Sequence, residues 1–146
     1  MMEVYLDSSV HPPSGRAIGM VEIYIKGESQ GSSVVHLHDT SSTVAEFQTF
    51  LHFAPLLAAG GVISVYSDCE SLVKLLTGNR TSDWNGHRHA DLYAAVVAAH
   101  QQLGRPPVHW IKGHDTAAHT SASVHKTRFR RVDRAARHIL RGLELQ

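Results

Sequence analysis

Four carboxylates, Asp7, Glu46, Asp68 and Asp133, stand where their types and settings could do chemistry together. Asp7 follows Val4 and Leu6 inside a strand-like run. Burying a carboxylate there is costly unless it is paired or holds a cation; an edge position or a salt bridge is the plainer explanation. The other three also have ordinary explanations when taken singly. Thr43-x-x-Glu46 has the form of a capping box, in which the glutamate reaches back to the cap's backbone N–H. Asp68 ends a strand and starts a helix, where Asp is a favoured N-cap. Asp133 sits early in the last helix, where a negative charge complements the macrodipole. As a set they read differently. If the strands bearing Asp7 and Asp68 are neighbours, a helix on each side can bring Glu46 and Asp133 to the same point. Clustered carboxylates repel one another and stay ionised together only with cations among them. Oxygen donors without sulfur suit magnesium, or manganese.

The elements that must position these acids follow from the hydrophobic pattern. Residues 3–10 predict a strand, His11-Pro12-Pro13-Ser14-Gly15 a turn, 17–26 a second strand and 33–38 a third. Short connections make these three an antiparallel meander. A helix is expected over 43–59, with Val44, Phe47, Leu51, Ala54 and Ala58 on its apolar face and Pro55 kinking or shortening it. Residues 62–66 predict a fourth strand, 69–77 a short helix, and 89–103 a long helix with Leu92, Val96, Ala99 and Leu103 inward. A fifth strand covers 108–111. The last helix, 127–143, is expected to bury Phe129, Val132, Ala136, Ile139 and Leu143. The order β-β-β-α-β-α-α-β-α implies an α/β fold: a mixed five-stranded sheet, antiparallel then parallel, flanked by helices.

With 146 residues the chain suits one domain, 1–146. Its single cysteine, Cys69, excludes an intramolecular disulfide framework. No apolar run approaches the roughly 20 residues that span a bilayer. The first residues lack the character of a signal peptide, so a cytoplasmic location is expected, without membrane association. The net charge of +1 hides an asymmetry: residues 126–141 carry seven basic side chains and one acid, Asp133. That pattern suits a polyanion partner, or simply a solvated helix face. The twelve histidines contain no HExxH pair.

On five short motifs the sequence resembles the type 1 ribonucleases H. They are Leu6-Asp7-Ser8-Ser9; Ala45-Glu46-Phe47 after Ser41-Ser42-Thr43; Tyr66-Ser67-Asp68-Cys69; Trp110-Ile111-Lys112-Gly113-His114; and Val132-Asp133-Arg134-Ala135-Ala136. The resemblance spans nearly the whole chain, in order. It implies a ribonuclease H-like fold and an endoribonuclease, acting as a monomer, that hydrolyses the RNA strand of RNA/DNA hybrids. Asp7, Glu46, Asp68 and Asp133 would hold two magnesium ions, and the products would carry 5′-phosphate and 3′-hydroxyl ends. His114 would be the mobile histidine that assists the reaction or product release. Ser41, Ser42 and Thr43 would meet the 2′-hydroxyls of the RNA strand, with Ser8, Ser9, Arg88 and Lys112 as further substrate contacts.

The sequence departs from the family pattern in places. The 18 residues between His114 and Asp133 are about twice the usual gap. The inserted segment, 115–126, is expected to be mobile without substrate and to gate the site, and His119 or His125 could replace His114. The basic protrusion common in bacterial members is reduced to Arg80, Trp84, His87, Arg88 and His89. Affinity for the hybrid is then expected from the basic last helix, through Arg128 and Arg130. Two other readings stay open: a catalytically silent nucleic-acid-binding module of the same fold, and a metal nuclease with another substrate, such as a resolvase or exonuclease.

Overall fold

Alternation along the first strand sets up the whole architecture. In β1 (Met2–His11) the side chains of Val4 and Leu6 enter one apolar cluster, and that of Tyr5 enters another on the opposite face. The computed structural model describes residues 2–38, 40–58, 60–78, 88–111 and 122–144. The remaining elements are β2 (Arg16–Ile25), β3 (Glu28–Leu37), α1 (Ser42–Ala58), β4 (Val62–Ser67), α2 (Glu70–Gly78), α3 (Ala90–Gln102), β5 (Val108–Trp110) and α4 (Ala122–Glu144). The sheet order is β3-β2-β1-β4-β5. The β1–β2 and β2–β3 pairs are antiparallel, and the β1–β4 and β4–β5 pairs are parallel. This is the mixed sheet expected from the sequence. No described helix is long and apolar enough to cross a membrane.

Each face of the sheet has its own core. Phe47, Phe50 and Leu57 of α1, Leu72 of α2 and Val96 of α3 cover the Val4–Leu6 face. Phe129, Val132, Ala136 and Leu140 of α4 cover Tyr5, Ile18, Met20 and Tyr66 on the other. The buried stripe of α1 is rotated from the expected one. Phe50, Phe53 and Leu57 are inward, whereas Leu51 is half-buried and Ala58 exposed. A 3.6-residue period admits either stripe, and the one carrying two more rings buries more apolar area. Pro55 lies on the exposed side and the helix continues past it.

Two boundaries differ from expectation for physical reasons. The third strand starts at Glu28 rather than 33, because its polar first half is held by backbone pairing with β2 and by Ser29 Oγ donating to Glu22. The last helix starts at Ala122 rather than 127, so its first five residues are helical and not part of a loop. His125 anchors that extension. Its ring stacks 4.2 Å from Tyr66, and its Nδ1 lies 2.5 Å from the Tyr5 hydroxyl. The rest of the segment expected to be mobile lies outside the described residues.

Gly19 fixes how closely α1 approaches the sheet. A Cβ there would stand 2.3 Å from Thr49 Oγ1 and 2.8 Å from Val35 Cγ1. Thr49 is fully buried and donates to the Ala45 carbonyl at 2.7 Å, so it has no room to yield. Gly19 also pairs across the sheet with Ser8, directly after Asp7. We expect Gly19→Ala to cost about 1–3 kcal/mol in chemical denaturation, and a second substitution, Thr49→Ala, to recover part of it. A Gly19→Ala variant as stable as the wild type would contradict this packing.

Candidate active site

The parallel pairing of β1 with β4 brings the first two acids together. Tyr5 is in register with Tyr66, so two residues further along Asp7 lies beside Asp68, just past the end of β4. The turn after β4 is tied down by backbone. Ile111 N donates to the Ser67 carbonyl at 2.9 Å and Cys69 N to Ser67 Oγ at 3.1 Å. The Trp110 indole N–H donates to the Asp68 carbonyl at 3.1 Å. From the other face α1 delivers Glu46. Its Oε1 accepts from both the backbone N–H (2.9 Å) and the hydroxyl (2.8 Å) of Ser8. Its Oε2 has no hydrogen-bond partner, so the capping box does not form. One carboxylate oxygen from each of Asp7, Glu46 and Asp68 lies within 4.8 Å of the others. Asp133 of α4 lines the same open cleft of about 390 Å³.

The electrostatics of this arrangement are adverse without a cation. Burial, then Glu46, Asp133 and Asp68, hold the Asp7 carboxyl well above its ordinary range. Burial and the Asp68 charge push Glu46 up to about 7, against the pull of the Ser8 hydrogen bonds. Asp68 is also raised, by burial and by Asp133. Asp7 Oδ2 and Glu46 Oε2 are buried without a partner, a costly state for carboxylate oxygens. Orphaned oxygens converging with Asp68, in an all-oxygen donor set, fit a hard divalent cation.

The structure sorts the other expected site residues. Ser9, Ser42 and Thr43 line the cleft, while Ser41 is exposed and uses its carbonyl to accept from Ala45 N. Ser8 serves Glu46. Arg88 is exposed ahead of α3, with its Nε 3.1 Å from His89 Nε2. Lys112, His114 and His119 lie outside the described residues. His125 does not join the acids: it is eight residues, about 12 Å along the helix, before Asp133, and is held by Tyr5 and Tyr66. Arg128 is engaged within the fold. Its guanidinium donates to Glu3 at 3.2 Å and to the Tyr5 hydroxyl at 3.1 Å, and lies 4.2 Å from the Tyr24 ring centre. It holds α4 to the sheet. Arg130 is exposed. Arg137 belongs to the site although its place in the basic run did not mark it. It lines the cleft and pairs with Asp133 at 3.3 Å, and the i,i+4 spacing was the signal that could have found it.

No protein-family model and no curated protein sequence matches the chain. Solved structures do. Ribonuclease H1 of the halophilic archaeon Halobacterium salinarum NRC-1 superposes with a TM-score of 0.69 at 16% identity, covering 97% of this chain and 98% of that one. The ribonuclease H domain of prototype foamy virus gives 0.69 at 15%, covering 94% and 92%. A ribonuclease H1 isolated from compost, solved in complex with an RNA/DNA hybrid, gives 0.62 at 17%, covering 80% and 89%. The chain therefore has the ribonuclease H-like fold.

The raised carboxyls make the metal-free protein sensitive to alkali. A carboxyl raised in the folded state stabilises the fold below its unfolded value and loses that contribution as pH rises through the folded one. For Glu46 the window runs from 4.5 to about 7. In chelator, we expect lower thermal stability at pH 8 than at pH 5.5. Asp7→Asn should raise stability at pH 8 by on the order of 1–2 kcal/mol, roughly 3–6 °C. A variant melting below the wild type would contradict the repulsion.

Proposed function

We propose that the protein is an endoribonuclease that hydrolyses the RNA strand of RNA/DNA hybrids with divalent cations. The observation that carries this reading is the convergence of Asp7, Glu46 and Asp68, with two of their buried oxygens lacking partners. A purely binding module of this fold gains nothing from so costly a cluster. The fold shared with ribonucleases H, one of them solved on a hybrid, supports the choice of substrate.

Asp7, Glu46, Asp68 and Asp133 would hold magnesium. When bound, such ions supply an activated water and stabilise the departing 3′-oxygen. The chain's own groups prepare the site. Ser8 fixes Glu46 through two hydrogen bonds, so its free oxygen stays aimed at the cluster. Trp110 and the Ser67 turn hold the backbone at Asp68. Arg137 pairs with the Asp133 carboxylate and orients it. The hydroxyls of Ser42 and Thr43 stand on the rim, within reach of a ribose that lies in the cleft. The sequence resemblance assigns His114 the assisting role, and we propose that it speeds product release. The products would be a 5′-phosphate and a 3′-hydroxyl.

Labelled RNA strands in RNA/DNA, RNA/RNA and DNA/DNA duplexes, with and without magnesium, test this directly. We expect cleavage of the hybrid alone, only with magnesium. Asp7→Asn, which keeps the shape and removes a charge, should lower the rate at least about 100-fold. Hybrid cleavage by Asp7→Asn at the wild-type rate, or preference for DNA duplexes, would overturn the assignment.

A further inference from the structure

The basic side chains of α4 divide into two groups. Arg128 is paired with Glu3, Arg131 with Glu22 at 3.4 Å, and Arg137 with Asp133. Arg130, Arg134 and Arg141 are exposed and, among the described residues, have no acidic partner. At 3.6 residues per turn these three fall within an arc of about 40° and span about 16 Å along the axis. They make one straight row on the side of α4 turned away from the apolar cluster of Phe129, Val132, Ala136 and Leu140.

Such a row is unfavourable in the isolated protein. Arg130 and Arg134 are like charges four residues apart. A polyanion running along the row would relieve that repulsion. A duplex backbone has the matching form, since 16 Å is the rise of about five base pairs and phosphates line it throughout.

We infer, resting on the hybrid substrate proposed above, that the outer face of α4 is a second nucleic-acid contact, in which Arg130, Arg134 and Arg141 grip the phosphate backbone of a duplex outside the catalytic cleft. The contact is independent of sequence, because guanidinium groups on phosphates read no bases. Its role is to keep the chain on a hybrid whose scissile strand is held by the rim hydroxyls. Of the two arginines expected from the sequence to supply affinity, Arg128 and Arg130, the contact uses Arg130.

The test is binding of the full chain to a short fluorescent hybrid, by anisotropy in chelator, across about 50–200 mM salt. Relative to wild type, Arg134→Gln should flatten the slope of log affinity against log salt by about 0.9. The triple variant Arg130→Gln, Arg134→Gln, Arg141→Gln should flatten it by about 2.7. Arg131→Gln, whose guanidinium is already neutralised by Glu22, should change it by less than half as much as Arg134→Gln. A triple variant with the wild-type slope, equal changes from Arg131 and Arg134, or binding to polyglutamate but not to the hybrid would each overturn the contact. All three arginines are exposed, so folding is not at risk, and the single variants stand if the triple one is unstable. Cleavage is read separately, in the magnesium assay above: hybrid binding with the expected slopes but no cutting there would count against the proposed function alone, and cutting with unchanged slopes against this contact alone.

Discussion

The mutual repulsion of carboxylates held in a partly dry cleft is the constraint on which the rest of the structure depends. Asp7 and Glu46 are 2% and 5% exposed, and each leaves an oxygen without a partner. A fold maintains this only if the elements bearing the acids are held by something stronger than the repulsion. Here that is two apolar clusters, one on each side of the sheet, with β1 between them. The site sits where the parallel strands end and the two cores meet. Gly19, Ser8 and the Ser67 turn set the distances there.

The two long helices that bear acids of the cleft are anchored differently. α1 is pressed onto β2 over Gly19 by large rings, and Glu46 reaches the cleft because Thr49 can lie against bare backbone. α4 is held partly by charge. Arg128 lies between Glu3 and the Tyr24 ring, while His125 stacks on Tyr66. These contacts surround Tyr5, whose hydroxyl is pushed up to about 12, chiefly by burial. It therefore remains a neutral donor and acceptor throughout the working range. With that end secured, Asp133 is presented from the next turns and the outward arginines are left in water.

Much of this was legible in the sequence because period-two and period-three-or-four patterns survive in it. The element order, the mixed antiparallel-then-parallel sheet and the elements that carry Asp7, Glu46 and Asp68 were readable from it, whereas that β1 lies beside β4, the condition for these acids to meet, is supplied by the fold. What was not legible depended on partners distant in sequence. Arg128 and Arg130 look alike in a basic run, and only the fold reveals that one meets Glu3, 125 residues away, and the other meets solvent. The capping box at Glu46 was a sound local reading, overridden by Ser8. His125 read as loop because its segment lacks apolar periodicity, and what makes it helical is an aromatic stack with β1 and β4.

The central claim is that the cleft is built to receive a cation and is protonated without one. Calorimetric titration of magnesium into the wild-type protein at pH 6.5, in two buffers of different ionisation enthalpy, tests it most directly. Below the raised value of Glu46, about 7, the free cluster carries protons that a cation must displace. Saturable binding with net proton release, lost in Asp7→Asn, is the expected result. Absence of magnesium binding, or binding with the same heat in both buffers, would contradict it.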